Sequence, residues 1–430
     1  MKKTVSFNVL IVALMAGLLL FSSCKKNNSG DNKPKDYVTI TDRTMYWEVH
    51  IDYTSGDRYA IGREYGTKCL SLIPDFEADG DGYVAYIVTA LQQGDSALTY
   101  EVLIQRALEI YKNIQSAYKD EIEGFASVLS GGTVNVLGDG KLSRDEILIM
   151  NFNPDVCTSF GCSATAVFGS RSATGKTIVG RNVDWFTGAK KKISTGNIES
   201  VTTNALIYRR TGSKQVLSLS TLGLIGVITG LNSDGIFAAN LYSAIGSPYS
   251  AIGKSSVMLD IREALETSST VDEVGAFLGD PSRIYAYHNN MFIADKNTAK
   301  VLENDYERNR TLRVVDSKLN PGITWGVSDA IACVNSFELE GNFDNHTIYP
   351  WETGRWASFK TMLVAEGNKV DADRVRTIMS YHKGGSYDYG DIYHSGTVQS
   401  LVYSFSNNQL QLWNGTFVDA PQYETISIQF

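Results

Sequence analysis

Apolar and polar positions alternate in different ways along this chain, and each pattern predicts its own structure. Residues 7–21 are almost all apolar, a run too short to span a bilayer comfortably. Between Thr99 and Ser130 the apolar residues Leu103, Ala107, Ile110, Ile114 and Tyr118 recur at three-to-four spacing. That spacing predicts a helix, interrupted at Gly124 and stopped at Gly131-Gly132. Ser143-Arg144-Asp145-Glu146 ahead of Ile147 to Met150 is a capping-box pattern, which predicts a second, short helix. Beyond Gly161 the pattern turns strand-like. Strands are expected over 162–168 and 177–183. Further strand pairs are expected at 205–209 with 216–222, 226–229 with 236–239, 291–294 with 300–303, and 401–404 with 409–413. Helices are expected over 257–267, 271–278, 356–365 and 372–381. Hairpins interleaved with helices predict an α+β or layered α/β body. No internal repeat and no second membrane-spanning stretch is visible.

Composition adds little to this picture until the N-terminus is read. The 430 residues are 43% hydrophobic and 20% charged, an ordinary globular composition sufficient for one large domain or two small ones. The net charge is -8 with Lys and Arg scattered, so there is no basic footprint for a nucleic-acid partner. The 23 Tyr and 17 Phe favour a β-rich body. Lys2 and Lys3 before the apolar run make residues 1–23 a signal peptide. It ends in Phe21-Ser22-Ser23-Cys24, which resembles the bacterial lipoprotein signal and implies a lipidated Cys24. The polar residues after it suit a tether, taken as 24–40 with the lipidated cysteine. The expectation is an exported protein held to a bacterial envelope membrane by lipid at Cys24. Plain secretion is the alternative.

Four cysteines then remain: Cys69, Cys157, Cys162 and Cys333. They are too few for a disulfide framework, and a Cys69–Cys333 bridge stays open. The five histidines lie far apart, without metal-ligand spacing, and no cofactor or metal is expected. Two stretches mimic calcium loops, Asp75 to Gly80 and Asn135 to Glu146. The first lacks a closing Glu and the second has Leu137 where an oxygen is needed, so both read as solvated turns.

The chemistry concentrates around Gly161-Cys162 and Gly180-Arg181-Asn182-Val183-Asp184-Trp185. Cys162 follows a Gly and opens a strand, and the second motif lies on the strand that returns beside it. Arg181 and Asp184, three apart, face oppositely in a strict strand and share a site only where the strand ends or bulges. Taken alone, a buried Cys with a structural Arg–Asp pair is the commoner reading.

As an ordered combination the pattern resembles the choloylglycine hydrolase and acid ceramidase superfamily. It is most like the branch typed by acyl-coenzyme A:6-aminopenicillanate acyltransferase, the C45 peptidases. Further along, Glu121 to Ala126, Leu142 to Glu146, Gly230-Leu231-Asn232 through Asn240, Asn335-Ser336-Phe337, Gly354-Arg355-Trp356 and Thr397 to Ser400 are similar to the later motifs of that family. Ser336 stands where the family has His, and Val334 where it has Thr.

The resemblance implies a four-layer αββα sandwich, the N-terminal-nucleophile hydrolase fold. It implies autocatalytic cleavage at Gly161–Cys162, leaving a segment 41–161 and a catalytic chain 162–430. It also explains why no catalytic His is evident. The freed α-amine of Cys162, titrating near ~7.7–8.0, can take the proton of a thiol near ~8.5. In this reading Arg181 and Asp184 hold amine and thiol, Asn240 and Asn335 supply the oxyanion hole, and Arg355 completes the polar network. The implied activity is cleavage of linear amides bearing an acyl group, with acyl transfer as a variant. The long segment ahead of Cys162 argues against the bile-salt-hydrolase branch. Cys157 is a rival nucleophile, but Val156 precedes it and its spacing to Arg181 fits less well. A papain-like Cys–His–Asn site and a non-catalytic acyl-binding lipoprotein are the remaining alternatives.

Overall fold

The structure is a computed structural model and describes residues 36–157, 161–185, 190–192, 198–200, 204–243, 249–384 and 388–430. The signal peptide, Cys24 and most of the expected tether lie outside these residues. Strands are β1 (Val38–Asp42), β2 (Trp47–Asp52), β3 (Gly161–Val167), β4 (Ile178–Asp184), β5 (Lys190–Lys192), β6 (Ile198–Ser200), β7 (Asn204–Thr211), β8 (Lys214–Thr221), β9 (Thr229–Asn232), β10 (Phe237–Tyr242), β11 (Asn289–Ala294), β12 (Ala299–Asn304), β13 (Arg310–Arg313), β14 (Ala330–Cys333), β15 (Thr397–Ser404), β16 (Gln409–Asn414) and β17 (Glu424–Ser427). Helices are α1 (Arg58–Leu72), α2 (Phe76–Gly94), α3 (Tyr100–Lys112), α4 (Ser116–Ala126), α5 (Arg144–Asn151), α6 (Asn153–Cys157), α7 (Val257–Thr267), α8 (Val271–Leu278), α9 (Pro350–Glu366) and α10 (Ala372–Met379).

Strand alternation builds the layers. One sheet runs β1-β2-β7-β8-β9-β10-β11-β12-β13 and a second runs β14-β3-β4-β15-β16-β17. Leu206 and Tyr208 of β7 point into a core shared with Ala164, Val179, Leu401 and Tyr403 of the second sheet. Their neighbours Ala205 and Ile207 point the other way, into a core filled from α1 to α8. On the far side of the second sheet, Val167, Ile178 and Val402 meet Phe359 and Leu363 of α9 and Val375 and Ile378 of α10. The order is therefore helix, sheet, sheet, helix: a four-layer αββα sandwich.

Residues 37–430 form one compact unit. The segment ahead of Cys162 is built into it, because β2 pairs in parallel with β7 from Trp47↔Ala205 to Asp52↔Arg210. Strand β1 starts at Val38, inside the stretch 24–40 expected as tether, and pairs with β2. No helix among the described residues is long and apolar enough to cross a membrane.

Several local expectations change in three dimensions. The helix read over 99–130 is two helices, α3 and α4. Gly124 does not interrupt the second. An added Cβ there would meet the Tyr59 carbonyl oxygen at 2.1 Å, and one at Gly62 would meet that of Glu121 at the same distance. These glycines allow α1 and α4 to touch backbone to backbone, and that packing outweighs their helix-breaking tendency. Helix α9 starts at Pro350, six residues ahead of the expected 356, with proline in its first turn. The first calcium-loop mimic is not a turn but the start of α2, whose Asp81 accepts from the Gly138 and Gly140 N–H groups at 2.6 Å each. It thereby pins the second mimic, and no metal-holding cluster occurs among the described residues. All four cysteines are buried and unbridged. The capping box at Ser143 forms as read.

Candidate active site at the start of the central hairpin

Strands β3 and β4 pair antiparallel with Cys162 opposite Val183 and Gly161 opposite Asp184. Cys162 thus sits at the end of the second sheet, where groups can approach from both faces. Its side chain joins the core between the sheets. Arg181, opposite Ala164, shares that face and is fully buried. Its Nη2 lies 3.7 Å from the Cys162 Sγ and donates to the Asn240 carbonyl of β10 at 2.6 Å. The guanidinium therefore bridges both sheets at the thiol.

Asp184 is the last residue of β4, where β15 carries a bulge between Thr397 and Gln399. The bulge and the strand end resolve the three-residue spacing of Arg181 and Asp184. Arg181 lies between the sheets, and Asp184 turns around the sheet end. The Asp184 Oδ2 accepts from Arg355 Nη1 at 2.9 Å, and its Oδ1 accepts from Thr397 Oγ1 at 2.7 Å. His394 Nε2 lies 3.2 Å from Oδ2. Burial pushes this carboxyl up, but His394, Arg355 and Thr397 outweigh it and hold the pKa at about 2.

From Asp184 the network runs back to the Cys162 main-chain nitrogen. Arg355 Nη2 donates to Asn335 Oδ1 at 2.6 Å, and the same oxygen accepts from the Cys162 N–H at 2.7 Å. Asn335 Nδ2 donates to the Tyr242 carbonyl at 2.5 Å, so both ends of this carboxamide are oriented. Asn240 Nδ2 donates to the Tyr287 hydroxyl at 2.9 Å. Each carboxamide nitrogen has a second N–H to offer. Burial raises the Cys162 thiol pKa; Arg181, the Asp184 backbone N–H and Arg355 pull it back, while the Asp184 charge adds to the rise.

The structure thus brings Cys162, Arg181, Asp184, Asn240, Asn335 and Arg355 together. Asn182, between the two charged residues, faces away. It donates to the Met379 and Ile392 carbonyls at 2.9 and 2.8 Å and pins the outer helix layer. Gly180 is needed because a Cβ there would meet Met379 Cγ at 2.5 Å. Cys157 is fully buried in α6, with its thiol pushed up by burial.

Two neighbours of the network were not singled out from sequence. Glu352 accepts from Arg355 Nη2 at 2.6 Å and from the Asn335 N–H at 2.7 Å. It stands three residues before Arg355, a signal hidden by placing the start of α9 too late. His394 is the other, three residues before Thr397. Beside the hairpin, a cavity of about 120 Å³ is lined by Tyr83, Met150, Val183, Trp185, Leu219 and Met258, among others. Trp356, on α9, is not among the lining residues and packs on Trp325 with ring centroids 4.7 Å apart.

No family model matches the chain. Among solved structures it is similar to an N-acylethanolamine-hydrolyzing acid amidase ortholog from Caenorhabditis elegans, at 17% identity and TM-score 0.34, covering 56% of this chain and 92% of that one. It is also similar to a variant of the conjugated bile acid hydrolase from Clostridium perfringens, at 14% identity and TM-score 0.34, covering 62% and 97%. A third likeness is to penicillin V acylase from Agrobacterium tumefaciens, at 14% identity and TM-score 0.35, covering 62% and 86%. The αββα layering that the motif resemblance implied is carried by the chain's own sheets and cores.

Proposed function

We propose that this protein is an amide hydrolase whose nucleophile, Cys162, becomes N-terminal by cleavage after Gly161. The observation that carries this reading is the place of the Cys162 main-chain nitrogen. It donates to Asn335 Oδ1, which Arg355 and Asp184 hold in turn. No histidine hydrogen-bonds the thiol among the described residues, so a main-chain amine at this point is the base at hand. The names of the similar structures, an amidase, a bile acid hydrolase and a penicillin acylase, fit the same chemistry.

The steps balance without a cofactor. In processing, Sγ attacks the Gly161 carbonyl and the peptide C–N bond breaks. A thioester forms, Cys162 keeps a free amine, and water releases the Gly161 carboxylate. In turnover the amine takes the thiol proton and the thiolate attacks the substrate carbonyl. The oxyanion is held by N–H donors of Asn240 and Asn335, and the leaving amine receives the proton from the Cys162 ammonium. Water, deprotonated by the same amine, then cleaves the thioester. With an amine in place of water, the same acyl-enzyme performs acyl transfer.

Gly161 suits this role. A Cβ there would lie 3.0 Å from Asp184 Oδ2, a group locked by its partners. The apolar cavity beside Val183 is the candidate site for the acyl group, and its volume is comparable to an engineered apolar cavity that holds benzene.

Processing is tested on the mature protein by intact mass and N-terminal sequencing. Two associated fragments are expected, the larger beginning Cys-Ser-Ala-Thr. An active protein with an intact chain refutes the reading. The fragments stay together because β2 is hydrogen-bonded to β7 across the cut. Export and a lipid on Cys24 belong to the same proposal, supported by the residues around Ser22-Ser23-Cys24. In detergent phase partitioning the wild type should enter the detergent phase and Cys24→Ala should not. Equal recovery of both in the aqueous phase rejects the anchor.

A further inference from the structure

We infer that His394 is a positioning residue of this site: it holds Asp184, and through Arg355 and Asn335 the Cys162 nitrogen, without meeting the thiol. The inference rests on the Cys162 reading above. Its basis is a short turn, residues 394–397, that closes on itself around the carboxylate. The Thr397 N–H donates to the His394 carbonyl at 2.8 Å, and the His394 N–H donates to Thr397 Oγ1 at 3.2 Å. The Gly396 N–H donates to His394 Nδ1 at 3.1 Å. With Nδ1 accepting from the Gly396 N–H, Nε2 is the ring nitrogen that donates, and it lies 3.2 Å from Asp184 Oδ2. The turn thus presents two donors to one carboxylate: His394 Nε2 to Oδ2 and Thr397 Oγ1 to Oδ1. Its Gly396 carbonyl accepts from the Trp185 N–H at 2.8 Å, which ties the residue after Asp184 to the same turn.

This geometry separates His394 from a general base. Its ring reaches Asp184, whereas the side-chain group at the Cys162 thiol is Arg181, and the imidazole is 7% exposed on its side chain, away from open solvent. Its chemistry is orientation: a carboxylate gripped on both oxygens has one rotamer, and Arg355 follows it. Thr397 and Arg355 remain when the ring is removed, so the effect should be partial.

The test compares processed wild type with His394→Ala and His394→Gln, using phenylacetyl p-nitroanilide as probe, with Cys162→Ala as control. For His394→Ala, kcat is expected to fall roughly tenfold with KM within about twofold, because a misplaced group costs rate more than binding. His394→Gln can still donate to Asp184 and should recover most of kcat. Iodoacetamide labelling of Cys162, read by intact mass, should remain stoichiometric in both. An unchanged kcat in His394→Ala overturns the positioning role while Cys162 stands. So does a Gln variant as poor as Ala at equal thermal midpoint, since the donor would then not matter. Turnover in Cys162→Ala overturns the underlying reading as well.

Discussion

Cys162→Ala should abolish both chain cleavage and amide turnover. Without Sγ nothing attacks the Gly161 carbonyl, and the protein should run as one uncut chain with a blocked Cys162 nitrogen position. Cys162→Ser should cut slowly, since a hydroxyl can attack, and turn over poorly, since it is far less ionised at neutral pH. Cys157→Ala should keep both activities. Its thiol is fully buried in α6, with burial pushing it up, and it lies five residues before Cys162 in the sequence. Kinetics of the purified variants, with gel analysis of cleavage, decide the matter. A dead, uncut Cys157→Ala beside an active Cys162→Ala would move the nucleophile and dismantle the site described above.

Asp184→Asn should be the most damaging change after those at Cys162. The carboxylate accepts from Arg355, Thr397 and His394. An amide of the same shape has one oxygen to accept with, and its NH₂ end would face a donor. Breaking a buried ion pair from one side costs about 3–5 kcal/mol, because the remaining charge has lost its partner. Catalysis should fall by about 100-fold or more through the misplaced Asn335 and Cys162 nitrogen. The pH dependence gives an independent check. The Asp184 pKa is held at about 2, below the ordinary carboxylate value, so its contribution to stability is present above pH ~4 and is lost as pH falls through about 2. Denaturant unfolding of wild type and Asp184→Asn should therefore differ most at neutral pH, with the gap closing as the solution is acidified. A constant gap from pH 7 to 2.5 would show that the charge network at Asp184 does not stabilise the fold.

The sequence by itself determined the parts that depend on local rules. The capping box at Ser143, α7 and α8, and the hairpins β7–β8, β11–β12 and β15–β16 follow from side-chain periodicity and turn residues, and these need no distant partner. The same local reading, with a family resemblance, grouped Cys162, Arg181, Asp184, Asn240, Asn335 and Arg355. What it could not supply was any property set by contact between distant segments. Gly124 reads as a helix breaker until Tyr59 is seen against it. Arg181 and Asp184 read as facing apart until β4 ends opposite the β15 bulge. Asn182 belongs to the same motif as Arg181, yet alternation turns it to the outer helices. His394 carries no local mark, and Glu352 only its three-residue spacing to Arg355; each gains its place from a partner on another element, Asn335 for Glu352 and Asp184 for His394. Periodicity fixes which face a side chain takes within its own helix or strand. Only the packing of the layers fixes what stands opposite that face, and at this site the charges and hydrogen bonds are made there.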